Sequence, residues 1–159
     1  MSDTTNAVKV PAEAYSIRWG TMAFRLRCIE CERKSSSKGN PMLNQTFEIF
    51  GAQPVKNDET GEMVDINGLQ IYTRQMLMEK SLKYINIQRN SLGLPPVAAG
   101  EVLSIEAADY LKTEGAAIVV ASLEEKKNDV TGEVVVNPLT GKPATKVTRE
   151  VTEWFTRDN

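Results

Sequence analysis

The chain of 159 residues contains no histidine. That excludes Ser-His and Cys-His nucleophile pairs and removes the side chain that most often moves protons near neutral pH. The commonest metal ligand goes with it. Carboxylates and lysine also support catalysis, so enzyme chemistry loses weight without being closed off. Cysteine is scarce: Cys28 and Cys31 form one C-x-x-C pair. A structural zinc site takes about four protein ligands, and a redox pair normally opens a helix. Here the pair sits inside a strand pattern, where positions three apart point to opposite faces. Two unrelated strand cysteines are expected. Aromatic residues make up only 6%. No apolar run approaches the ~20 residues of a membrane helix. The start "MSDTTNAVKV" has no basic segment leading into an apolar one, so no signal peptide is read and cytoplasm is the expected compartment, with no membrane partner. "LTGKP" lacks the first glycine of a phosphate-binding loop, and no cofactor is expected.

What is present is an ordinary soluble composition, 41% hydrophobic and 25% charged, enough for one domain. The net charge of −2 is unevenly spread. Residues 16–40 hold Arg18, Arg25, Arg27, Arg33, Lys34 and Lys38 against Glu30 and Glu32, a local +4, which leaves −6 elsewhere. One basic hairpin on an acidic protein can contact a polyanion locally. A solvated basic strand edge that discourages aggregation has the same composition. Asp58, Glu59, Glu62 and Asp65 cluster in a loop without EF-hand spacing, so a solvated loop is expected there instead of a calcium site.

The hydrophobic pattern gives three strands, helices, then two strands. Residues 1–14 are small and polar and read as a loose arm before a single domain, 15–159. Strand one covers about 21–33. Its apolar face switches near Cys28 and Ile29, which predicts a bulge or sharp bend. Strand two covers 43–50 and strand three 66–73. Met78, Leu82, Ile85 and Leu92 then recur at helical spacing, with Gly93 and Pro95-Pro96 as stop signals. A second short helix is expected between Ser104 and Gly115. Strand four covers 116–125 and strand five 145–155. Between them lies a long excursion with turns at Thr131-Gly132 and Thr140-Gly141. "KNDETGEMV" and "KNDVTGEVV" reuse one turn chemistry. This α+β order, five strands with helices between the third and fourth, is that of the OB-fold, a partly open five-stranded Greek-key barrel.

Barrels of this kind bind oligonucleotides on the face near strands two and three and with the one-two and four-five loops. Single-strand binders line such a path with cations for phosphates and aromatic rings for bases. The one-two segment "KSSSKGNP" offers Lys34 and Lys38 on a stretch that serine and glycine make pliable. The excursion offers Lys126, Lys127, Lys142 and Lys146. The strands offer Arg25, Arg27, Arg33, Tyr72, Arg74 and Arg149. Among the aromatics, Phe50 and Tyr72 are open to stacking or packing, Trp19 is a further stacking candidate, and Trp154 and Phe155 read as packing residues.

"SSSKGNPMLNQTFEIF", followed by "INGLQIY", a helix ending "NSLGLP" and a closing "VTREVTEWF", resembles small phage- and prophage-encoded single-stranded DNA-binding proteins of the OB-fold type. The residues matching that family's loop are Lys38, Gly39, Asn40, Pro41 and Met42. The resemblance implies a sequence-non-specific coat for single-stranded DNA in phage replication or recombination. The cytoplasm would then be the host cell's. Homo-oligomers and phage replication or recombination proteins are open as partners. The acidic tail that many phage binders use for recruitment is not seen in "EWFTRDN". Two other readings stand beside this one: a virion structural or adaptor module on a small barrel, and a carboxylate-dependent nuclease using the 58–65 cluster.

Overall fold

Strand β1 (Gly20–Ser35) decides the architecture of the computed structural model, which describes residues 10–57, 60–128 and 130–157. It is sixteen residues long and serves two neighbours. From Gly20 to Arg27 it pairs antiparallel with β4 (Glu114–Glu125), and from Arg25 to Ser35 with β2 (Pro41–Phe50). One strand can serve both only if it bends. The bend is a bulge between Cys28 and Glu30 that leaves Ile29 unpaired, where the apolar face switches in the sequence. Strands β3 (Gln70–Met76) and β5 (Thr145–Trp154) complete the sheet in the order β3-β2-β1-β4-β5. Strand β5 comes back beside β3, so the sheet is a nearly closed antiparallel barrel of the OB-like class. Along this seam the described residues form no ladder.

Phe24, Leu26, Cys28, Leu43, Phe47, Ile49, Ile71, Ala117 and Val119 belong to the buried core. Helix α1 (Leu82–Ser91) packs Ile85 and its neighbour Leu92 against it. Polar contacts hold the helix as well. Gln45 Nε2 donates to Gln88 Oε1 at 3.0 Å, and Gln88 Nε2 donates to Gln45 Oε1 at 2.7 Å. Thr73 Oγ1 donates to Gln45 Oε1 at 2.7 Å. Both glutamines are buried, so their mutual pairing avoids the cost of an unsatisfied amide. Gly93 has φ +78°, the left-handed position expected after a helix end.

Several expectations change. Residues 66–69 are not strand: Asn67 folds them back by accepting from the Ala52 N–H at 2.8 Å and donating to the Ala52 carbonyl at 3.0 Å, after a short two-stranded ladder of Val55–Lys56 with Met63–Val64. The second helix is replaced by two 3-10 turns, Ala99–Ser104 and Ala107–Tyr110. Arg33 donates to the carbonyls of Leu103 and Ile105, acceptors that a continuing α-helix would need for itself. Gly115 closes no helix. It lies in β4, where a Cβ would sit 2.8 Å from Ser91 Oγ. The N-terminal arm lies outside the described residues as far as residue 9. From Val10 onward the chain packs on the barrel, with Ala14 and Ile17 buried.

The excursion between β4 and β5 is two hairpins instead of one. Lys126 donates to Ala144, Ala144 to Val135 and Val135 to Lys126, a ring of three backbone bonds. Each hairpin tip is the same turn, in which a glycine N–H bonds the asparagine carbonyl four residues back: Gly132 to Asn128 and Gly141 to Asn137, each at 2.8 Å. Gly61 to Asn57 repeats it at 2.7 Å. The shared pattern is Asn-x-x-Thr-Gly. Val130 and Leu139 occupy the same turn position and are 92% and 93% exposed.

Candidate nucleic-acid interface

The outer face of β1, β2 and β3 is a set of cross-strand rows, because side chains alternate along each strand. The registers give Arg25 beside Phe50, then Arg27–Glu48–Gln70, Glu30–Thr46–Tyr72, Glu32–Asn44–Arg74 and Lys34–Met42–Met76. The bulge sets this composition. Simple alternation would carry Arg25, Arg27 and Arg33 on one face. The extra residue reverses the parity, so Glu30, Glu32 and Lys34 join Arg25 and Arg27, while Arg33 turns toward the Leu103 and Ile105 carbonyls. The same reversal sets Cys28 and Cys31 on one side, opposite Phe47 and Gln45, and corrects the opposite-face expectation for the pair. Both are free thiols. Burial pushes Cys28 up to about 11 and Cys31 up to about 12, so neither is a ready thiolate.

The basic hairpin is largely spent on internal partners. Arg27 pairs with Glu114 at 2.8 Å and Glu48 at 3.4 Å, and these contacts raise its pKa, the Glu114 hydrogen bond most of all. Lys34 stands 3.8 Å from Glu32. The guanidiniums of Arg25 and Arg27 lie 4.5 and 4.4 Å from the Phe50 ring centroid, so that ring is already occupied by cations. The one-two connection is not a loose finger either. Strands β1 and β2 stay paired out to Ser35 and Pro41. The turn is closed by Ser36 N–H to Asn40 O at 2.7 Å, Gly39 N–H to Ser36 O at 2.8 Å, and Asn40 N–H to Ser36 Oγ at 3.0 Å. Asn40 is a turn residue, and Lys38 is exposed at the tip.

The free surface lies at the other edge of the face. Tyr72 on β3 is 67% exposed, and its hydroxyl donates to Gln70 Oε1 at 2.9 Å. Arg74, two residues on and on the same face, is exposed and has no carboxylate partner among the described residues. Asn44, Gln45, Thr46, Tyr72, Thr73 and Arg74 line a cavity of about 350 Å³. Across the barrel seam, Arg149 on β5 donates to the Tyr15 carbonyl at 3.0 Å, and its guanidinium lies 5.6 Å from the Tyr15 ring centroid. Burial lowers the Arg149 pKa, while Tyr15 and Tyr72 act on it in the opposite sense. It remains a cation. Two tyrosines and two arginines thus gather where β3, β5 and the turn Ala12–Ser16 meet, while Glu30 and Glu32 occupy the β1 side of the same face. A polyanion is favoured on the β3 side and opposed on the β1 side.

Other candidates fall elsewhere. Lys146 is opposite Glu124 at the outer end of the β4–β5 ladder, and Lys142 is in the second tip turn of the excursion. Trp154 packs against Phe47 with ring centroids 5.0 Å apart. Trp19 packs edge-on against Phe24 at 5.0 Å and donates to the Val119 carbonyl. Tyr15 carried no strand or helix signal in the sequence and was missed. Asp58 and Glu59 of the acidic cluster lie outside the described residues, and no group of three or more potential metal ligands gathers among the described ones. No described helix is long and apolar enough to cross a membrane. No protein-family model matches the chain, and no curated protein matches it. Fold and site define a class: a small OB-like barrel with an aromatic and cationic patch at its seam.

Proposed function

We propose that the protein binds single-stranded DNA without sequence preference and coats it during phage replication or recombination. One observation carries the reading: Tyr72 is exposed on the outer face of the barrel and lines an open cavity together with Arg74, while Arg149 stands within electrostatic reach across the seam. An exposed aromatic ring with guanidiniums nearby suits a stacked base and its neighbouring phosphates. The "KGNPM" segment and the other short motifs support the phage context. The test is fluorescence anisotropy of a labelled oligo-dT across a salt series. If Arg74, Arg149 and Lys38 each meet a phosphate, log K falls with log salt at a slope of about −2, from roughly −0.7 per contact. Absence of binding at low salt, or a flat response, overturns the proposal.

A second reading, an interaction module of an assembled particle, is favoured by the twin apolar tips Val130 and Leu139. Light scattering separates the two: rings or fibres that form regardless of oligonucleotide support the module.

A further inference from the structure

A second pocket opens at the end of β2 farthest from the hairpin turn, about 280 Å³ in volume. Its wall combines Arg25, Phe50, Phe155 and Arg157 with Ser91 and Glu114–Ala116. The C-terminal segment is fastened there. The Phe155 N–H donates to the Ala116 carbonyl at 2.9 Å, and the Arg157 N–H to Asn90 Oδ1 at 2.6 Å. The Arg157 side chain is oriented by carbonyls: Nε donates to Ser91 O at 3.0 Å and Nη2 to Glu114 O at 2.7 Å. Its guanidinium lies against Gly93, where a Cβ would be 3.2–3.4 Å away, so the cation rests directly on backbone.

Two guanidiniums therefore line one small pocket, and neither is neutralised by a carboxylate of the described residues. Arg25 is held over the Phe50 ring. Glu114, the one carboxylate among the lining side chains, is bound to Arg27 at 2.8 Å. Positive charge fixed by carbonyls and a ring, without a counter-ion among the described residues, leaves the pocket complementary to an anion, and guanidinium forks match phosphate oxygens. Phe155 is 38% exposed and presents an aromatic surface beside them. The volume lies near the lower bound of about 300 Å³ for ligand pockets, room for one nucleotide and not for a duplex.

We infer that this pocket is a mononucleotide subsite, in which Arg25 and Arg157 hold a phosphate and Phe155 stacks the base. The inference rests on the single-strand reading for its natural ligand. Phe50 is four residues from Thr46, the partner of Tyr72, so the subsite sits about 13 Å along β2 from the seam patch at ~3.3 Å per residue. A strand crossing the face would reach both.

The test is an NMR titration of the full chain with dTMP, with thymidine and inorganic phosphate as separate arms. dTMP should shift the amides of Gly115, Ala116, Phe155 and Arg157 saturably, and more tightly than either fragment. Phe155→Ala should weaken dTMP about tenfold. So should Arg25→Gln, which leaves the Arg157 tether in place. Silence of these amides at millimolar dTMP overturns the subsite. Equal affinity for phosphate and dTMP, untouched by Phe155→Ala, also overturns it, since that describes a bare anion site. The two readings separate in the wild-type protein. Oligo-dT that shifts the Tyr72 region while dTMP leaves the pocket silent removes the subsite alone. dTMP binding at the pocket without oligonucleotide binding removes the strand reading alone.

Discussion

Tyr72→Ala tests the seam patch most directly. Tyr72 is 67% exposed on β3, and its hydroxyl donates to Gln70 Oε1, its one hydrogen bond among the described residues. Truncating it removes little buried surface, so stability should stay within about 0.5 kcal/mol of wild type, as for other surface substitutions. If the ring carries one stacked base, its loss costs about 1–3 kcal/mol of binding. At about 1.4 kcal/mol per decade, that is roughly a 5- to 150-fold weakening, with tenfold a sensible centre. The ring meets no phosphate, so the slope of log K against log salt should stay unchanged. Arg74→Gln should make that slope shallower by about 0.7 while weakening binding at low salt. Tyr72→Phe keeps the ring and gives up only an exposed hydroxyl contact, so it should bind like wild type. The assay is oligo-dT anisotropy at several salt concentrations, with urea unfolding run in parallel. Binding by Tyr72→Ala within twofold of wild type, with unfolding unchanged, would refute the stacking role and return Tyr72 to ordinary surface.

Three further outcomes follow from the geometry. Lys34→Glu should barely change oligo-dT affinity, because Lys34 already stands beside Glu32, whereas Lys38→Glu should make the salt slope shallower by about 0.7 or more; a larger effect from Lys34→Glu would contradict the pairing. Gly115→Ala should destabilise the fold by about 1–3 kcal/mol, read from the urea midpoint, since its Cβ would meet Ser91 Oγ at 2.8 Å and the Ser91 carbonyl at 2.9 Å. The thiols of Cys28 and Cys31 are raised to about 11 and 12 by burial, so the folded state keeps protons that the unfolded chain releases above pH 9. Their contribution is intact below pH 9 and is lost as pH climbs toward 11–12. Stability should therefore fall over that window, and Cys31→Ala should flatten the fall; an unchanged pH profile in the variant would count against it.

The sequence by itself determined the five strands of the barrel and their order along the chain, the position of the helix with its glycine stop, and the bend at Cys28 and Ile29. These are local signals: alternation, helical spacing and turn residues depend on neighbours a few positions apart. It also supplied Tyr72 and Arg74 as candidates, but left Tyr72 open between stacking and packing; the register and the exposure of the ring decided that both face outward. Tertiary structure alone decided which cations stay free. A single inserted residue at the bulge reverses which side chains share a face, and alternation could not say how the strand would resume beyond it. Arg27 meets Glu48 across a strand pair and Glu114 across another, 87 positions away for the latter. Arg33 takes carbonyls 70 and 72 positions on. Tyr15 reaches Arg149 across 134 positions, and Arg157 joins Arg25 in one pocket only because β5 returns beside the start of β4. Such partnerships have no signature in local spacing. They arise when the barrel closes and brings distant charges within hydrogen-bond reach.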